Sequence, residues 1–569
     1  MVILIAEGRT DDSREDAMKP LRFSGANLAE QLHFTVLVKG DSNRQVNVVA
    51  PNIDYIKKLV RKCAMNEHTL LVSVESNDAK KEKKVDPESV VPNSNAKMEE
   101  ALAKHSHVKL SGCDIDGIPR GKLVVVSKFS KAKDGLGFCN VVFAWDSHDV
   151  VYSARDVAMA DAETGYPDII AVPDLASFRQ IPWERNIPLF LVDFYDPRTS
   201  LPLPMCPRGL LKSVIKRGID ELGVTANVGI EYEFFNFKET PDSIAEKNGT
   251  NLQKLTPGMF GYSVTRPIIN SDYFHGILDA CNDLKIPLEC YHTETGPGVY
   301  EAAIQYSDAL TLCDNAHLFK TVAKSIGLKH GVMPTFMAKP HNNLPGCSGH
   351  THVSITAADI PGNLFDPAVA ALWPYAIEST VTTPKHAIPQ TSRVLNWFLA
   401  GVLEGLPSVM PIFAPTINSY KRLVENYWAP ITVSYGVENR TTSIRLITPP
   451  TAPANATRLE IRVPGADANP YLTVAAILAC GYEGIKRKLE LPMPAAEVTQ
   501  KFDGGRKNEI RLARNLKEAY EAMDASDSMA RQVLGNGFVD HYVGTRKHEW
   551  RVWETAVTNW EVSRYFEVI

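Results

Sequence analysis

Four segments of this chain set ionisable residues into apolar surroundings: Glu231-Tyr-Glu233, Glu294 with Glu301, His350-Thr-His352 and Arg458-Leu-Glu460-Ile-Arg462. Residues two apart on a strand point to the same face, so the strand-spaced segments each present their polar side chains together. Burying that many charges without partners is prohibitive. The side chains therefore neutralise one another, hold metal ions or meet an anionic substrate. Five carboxylates (Glu231, Glu233, Glu294, Glu301, Glu460) and two imidazoles (His350, His352) suit hard cations, Mg²⁺ or Mn²⁺, better than zinc. Arg440, Arg445, Arg458 and Arg462 then find a natural client in phosphate. A lone Glu-x-Glu is ordinarily a solvated face. Four such segments in apolar sequence imply one shared site.

A chain of 569 residues has room for about two to four domains and a large core. Its net charge of -5 argues against an electrostatic nucleic-acid or membrane binder. The 9 cysteines are scattered, odd in number and without a Cys-x-x-Cys pair, as expected of reduced thiols in the cytoplasm. The opening Met-Val-Ile-Leu-Ile-Ala-Glu-Gly lacks a basic leader and a long apolar core, so no signal peptide is expected.

Residues 1–76 read as a small extension in which His33–Lys39 and Gln45–Ala50 flank a turn and a helix follows over Ile53–Cys63. The polar, Lys-rich stretch 77–94 reads as a flexible linker. A short amphipathic helix carrying Met98 and Leu102 then leads into strands at Val108–Leu110, Leu123–Val126, Val141–Ala144, Ile169–Val172 and Leu189–Val192. This β-rich domain, 95–206, closes at the Pro-rich Leu201–Pro207. Residues 207–569 mix helices (about 209–222, 272–285, 308–327 and 471–487) with the polar-studded strands, which predicts an α+β catalytic domain.

Five motifs in order resemble the glutamine synthetase superfamily, most of all its bacterial-type (class I) branch with relatives that act as γ-glutamylamine ligases. They are Val228–Phe235, His292–Glu301, Lys339-Pro340 with Gly346–Ser354, Asn439–Arg445 and Arg458–Tyr471. The resemblance implies an amino-terminal β-grasp domain and a glutamine synthetase/guanido kinase-type catalytic domain with a curved antiparallel sheet. It implies two to three Mg²⁺ or Mn²⁺ ions per site, with Glu233, Glu294 and Glu301 holding one and Glu231, His350 and Glu460 another. ATP would lie near His352, Ser354, Arg445 and Arg458. Arg440 and Arg462 would contact the transferring phosphoryl group, and Arg422, Gly346 and Arg462 the amino-acid substrate. Asp114, in Ser111–Lys122, matches a loop aspartate that reaches a neighbouring subunit's site, so a homo-oligomer is implied, a dodecamer of two hexameric rings.

The implied reaction joins glutamate to ammonia or an amine, with ATP as co-substrate and a γ-glutamyl phosphate intermediate. Positioning and electrostatic stabilisation carry most of such phosphoryl chemistry. The sequence departs from ammonia-using members where Trp428 replaces a glutamate before Ala429-Pro430. An indole takes up no proton but stacks on organic cations, which favours a larger amine such as a polyamine. Val299 and Pro345 also depart, at the acyl pocket. The alternative is a catalytically silent structural or regulatory relative, against which stands the complete set of ligand residues.

Overall fold

The computed structural model describes strands at 4–6, 32–39, 44–50 and 69–74, then residues 92–569 except 133, 378–385, 387, 390, 426–428, 449–452 and 497–509. Strands β1 (Leu4–Ala6), β2 (Leu32–Lys39), β3 (Arg44–Ala50) and β4 (Thr69–Val74) form an antiparallel sheet ordered β1-β4-β2-β3. Its β2–β3 hairpin is the one expected from the sequence. The expected helix at 53–63 lies outside the described residues, as does most of the linker.

The helix Pro92–Lys104 opens a second unit. Strands β5 (His107–Cys113), β6 (Pro119–Val125), β7 (Leu136–Cys139), β8 (Asp168–Pro173), β9 (Arg179–Ile181) and β10 (Ile187–Tyr195) build a six-stranded sheet ordered β6-β5-β10-β8-β7, with β9 on β10. Only β5 and β10 run parallel. The strand expected at Val141–Ala144 is instead a 3₁₀ turn over Asn140–Phe143. Phe143 and the following Ala144 are nonetheless fully enclosed, with Val141 and Val142 half-buried. A short apolar run reports burial without specifying backbone geometry.

The third sheet comprises β11 (Val224–Phe237), β12 (Leu288–Thr293), β13 (Val299–Asp308), β14 (Met333–Thr335), β15 (Gly349–Ala357), β16 (Tyr435–Val437), β17 (Ile444–Ile447) and β18 (Arg458–Ile461). Its order is β12-β13-β11-β15-β18-β17-β16, with β14 on β11. One face of β15 carries His350, His352 and Ser354 half-buried, while Thr351, Val353 and Ile355 point into the core. On β11, Glu231 and Glu233 alternate with the buried Tyr232 and Phe234 in the same way. The helix Ala309–Lys329 packs under this sheet, Phe319 stacking on Tyr232 with ring centroids 6.3 Å apart. The fold is α+β.

Behind the sheet, helices Arg393–Phe413 and Pro470–Arg487 pack together. A Cβ on Gly401 or Gly484 would collide with the partner helix's backbone. Arg393–Phe413 is long and apolar enough to cross a membrane, but 89% of its apolar window is buried against other elements, as in a core helix.

Arg208 ties the two sheets together. Its guanidinium donates to Asp193 on β10 (3.0 Å), to Asp174 after β8 (2.8 Å) and to Asp314 on the helix Ala309–Lys329 (2.9 Å). Tyr471 adds a hydrogen bond to Asp314 at 2.8 Å, and Lys212 pairs with Asp174 at 3.0 Å. Arg208→Ala is expected to cost about 3–5 kcal/mol in chemical denaturation, because it leaves the buried Asp314 without a counter-charge and Asp174 and Asp193 with Lys212 alone. A loss below about 1 kcal/mol would mean the aspartates find other partners.

Candidate active site

Strand register brings the polar positions into line. Glu233 on β11 lies opposite Glu301 on β13, which lies opposite His292 on β12. On the other half, His352 on β15 lies opposite Glu460 on β18, which lies opposite Arg445 on β17. Two rows thus cross one face of the sheet. His350 Nδ1 stands 3.6 Å from Glu231 and 3.4 Å from Glu460, and His352 Nε2 stands 3.2 Å from Glu231. Ligand atoms of Glu231, His352 and Glu460 lie within 4.8 Å of one another, as do those of His292, Glu294 and Glu301. Glu233 belongs to neither triplet and accepts the Ser348 amide at 2.6 Å.

Electrostatics separate the two groups. Burial works against ionisation of Glu231, but hydrogen bonds from His350 and His352 prevail and hold it well below the usual carboxylate range. Glu301 has no such relief: burial, then the charges of Glu233, Glu231, Glu294 and Glu460, push it up to about 9. One buried oxygen of Glu294 and the Nε atoms of Arg445 and Arg462 have no hydrogen-bond partner. An unsatisfied carboxylate oxygen in one row and unsatisfied cationic donors in the other fit a site that takes divalent cations and an anion.

The arginines differ in their engagement. Arg462 donates to Glu460 through a short ion pair, and Arg445 pairs with Glu460 at 3.2 Å and Glu438 at 2.5 Å. Arg458 donates to His352 Nδ1 at 3.3 Å and to the Ala456 carbonyl at 3.2 Å. Arg440 is exposed on the turn before β17, its charge felt by Tyr262. Arg422 is buried and donates to the carbonyl oxygens of Val463 and, at 3.5 Å, Arg462. Gly346 packs so tightly on Arg422 and the Ala338 carbonyl that no side chain fits there.

A cavity of about 550 Å³ opens beside the Glu231–His352 pair, lined by Asn227, Tyr306, Ser354 and Arg458 among others. His352, Ser354 and Arg458, three of the residues expected near the nucleotide, are among its lining residues. Arg445 is not among its lining residues.

Two residues stand at the site that the sequence does not single out. His292 lies 4.0 Å from both Glu294 and Glu301, and Tyr262 stacks on it with ring centroids 4.6 Å apart. The spacing His292-Thr-Glu294 was the available signal, the same strand period as in the other pairs. Tyr262 carried none: it sits on a loop in left-handed backbone, φ 56°, pinned by its amide to the Thr293 carbonyl at 2.7 Å.

Asp114 is not brought to this cluster within the chain. Its carboxylate closes its own turn, accepting from the amides of Asp116 (3.0 Å) and Ile118 (2.8 Å) and from Arg120 Nε (2.8 Å). Burial and the neighbouring Asp116 charge push it up to about 7. A carboxylate committed to three donors in its own loop does not project outward here. Trp428 lies outside the described residues.

The family profile described as glutamine synthetase, catalytic domain, matches residues 204–565. Type-1 glutamine synthetase 2 of Dictyostelium discoideum is 44% identical over 470 residues, covering 82% of this chain and 85% of that protein. Glutamate–isopropylamine ligase of a Pseudomonas species is 34% identical over 481 residues, 83% of this chain and 98% of its own length. Among solved structures, a GmaS–ADP complex superposes with a TM-score of 0.67 at 27% identity, covering 83% of this chain and 99% of that one. With matches of this extent, and the paired rows of acidic and basic side chains on the matched sheet, the chain belongs to the glutamine synthetase family of ATP-dependent ligases.

Proposed function

We propose that this protein couples ATP cleavage to joining glutamate with an amine, forming a γ-glutamyl amide through γ-glutamyl phosphate. The observation that carries this reading is the coexistence, on one sheet, of the crowded carboxylate of Glu301 and of Arg445 and Arg462 guanidiniums whose Nε atoms have no acceptor. Glu294 and Glu301, with Glu233 or His292, would hold one Mg²⁺ or Mn²⁺ ion, and Glu231, Glu460 and His350 or His352 a second. Such ions supply charge neutralisation to a transferring phosphoryl group. Arg462 and Arg440 would orient that group, while Arg422 and Gly346 shape the place of the amino acid. Arg445 and Arg458 would serve the nucleotide phosphates.

For the acceptor, the relatives include glutamine synthetases, the isopropylamine ligase and a γ-glutamylethanolamide synthetase from Streptomyces coelicolor. Trp428, in place of a proton-accepting glutamate, supports a larger amine over ammonia. The assembly we propose is a homo-oligomer of stacked hexameric rings acting in the cytoplasm, with Asp114 near the subunit boundary.

The test is phosphate release by purified protein given ATP, Mg²⁺ or Mn²⁺, glutamate and a panel of amines from ammonia to alkylamines and polyamines. Glutamate-dependent release with at least one amine is expected, with the amide identified by mass spectrometry. No turnover with any acceptor, hydroxylamine included, would sink the reading.

A further inference from the structure

Lys320, on the helix Ala309–Lys329, lies beneath the catalytic sheet and far from its polar face in sequence. Its ammonium donates to the carbonyl oxygens of Ala466 (2.6 Å) and Ala468 (2.9 Å). The rings of Tyr232 and Phe336 enclose it, their centroids 4.7 and 5.5 Å away. Tyr232 is the residue between Glu231 and Glu233, so the lysine braces the underside of that strand as well. The strip it grips, Pro464–Asn469, has no regular secondary structure of its own. Irregular backbone inside a protein must find its hydrogen bonds elsewhere.

The same strip supports the groups assigned above to the acyl substrate. The Ala466 amide donates to the Cys347 carbonyl at 3.1 Å, and Gly465 bridges to Ser348, which fixes the loop carrying Gly346. Asp467 accepts from Ser419 Oγ at 2.5 Å and Thr416 Oγ1 at 3.2 Å, anchoring the turn that leads into Arg422. Arg422 in turn rests on the carbonyl of Val463, the residue before the strip. The strip that this ammonium grips is thus bonded both to the loop carrying Gly346 and to the turn carrying Arg422.

We infer that Lys320 is a positioning residue for the glutamate subsite, acting through Pro464–Asn469 rather than by touching substrate; the inference rests on the ligase reading above. A charged donor suits the task because it satisfies two buried carbonyls at once and lies near the negative Asp467. Burial nonetheless pulls the ammonium down to about 7 against the attraction of Asp467. The nucleotide cavity is lined by residues of β11, β12, β13, β15 and β18 and of the segments 362–363 and 455–457, none of them in Pro464–Asn469.

The test is steady-state kinetics of Lys320→Met, with Lys320→Gln as a polar variant in case the apolar one folds poorly, and exposed Lys324→Met as control. Both Lys320 variants are expected to raise KM for glutamate about tenfold or more, with KM for ATP within about twofold of wild type. Lys320→Arg, which keeps the charge and the donors, is expected to recover most of the glutamate affinity. An unchanged KM for glutamate, or equal rises in both KM values, would overturn the inference in favour of a general packing role. Wild-type protein inactive with every amine would instead fail the ligase reading itself, and the inference with it.

Discussion

Glu301→Gln is expected to make the protein more stable without divalent cations and nearly inactive with them. Glu301 sits opposite Glu233 with Glu231, Glu294 and Glu460 nearby, and burial plus that crowding push it up to about 9. In the unfolded chain a glutamate titrates near about 4.3. An acid whose folded value is raised destabilises the fold above its unfolded value, by an amount that grows with pH until the folded value is reached. The glutamine variant should therefore melt higher than wild type in chelator, with a larger gain at pH 8 than at pH 5. Mn²⁺ or Mg²⁺ is expected to raise the melting temperature of wild type by binding the folded state, and to do so far less in the variant. Turnover should fall by about three orders of magnitude. A cation-induced shift as large in the variant as in wild type would move the ion away from Glu301.

Arg462→Lys is expected to lower kcat by about 10³-fold while leaving ATP affinity within a few-fold. The guanidinium is buried, pairs with Glu460 through one nitrogen and leaves Nε without a partner, a geometry that offers a second planar donor to an anion. Lysine keeps the positive charge beside Glu460, so folding should survive, but it cannot present two donors in a fixed fork. Single-turnover measurements separate the two effects. A loss confined to KM for ATP would instead assign Arg462 to nucleotide binding.

The strand-borne part of the site was legible in the sequence because a period of two is unambiguous when apolar residues fill the alternate positions. Glu231, Glu233, His350, His352 and Glu460 stand on one sheet face for that reason, and Arg462 follows directly on the end of β18. His292 escaped notice as a single histidine outside any pair, although it shares the spacing. Tyr262 depends on a loop conformation that no pattern encodes. The helix Arg393–Phe413 left little trace either, because Pro407 and Pro411 inside it read as breaks. Asp114 shows a different limit. Its turn was readable from Asp116-Gly117, but whether the carboxylate faces outward or closes its own loop depends on donors such as Arg120 that only folding supplies.

The Arg208 hub bears on how such a protein can be taken apart or recombined. The matched catalytic region starts at residue 204, yet two of the three aspartates that hold Arg208 precede it in the chain. A fragment cut at that boundary would keep the arginine and forfeit Asp174 and Asp193. The catalytic region is therefore not a transplantable module, and a chimaera that borrows the β5–β10 sheet from a relative must bring matching carboxylates with it.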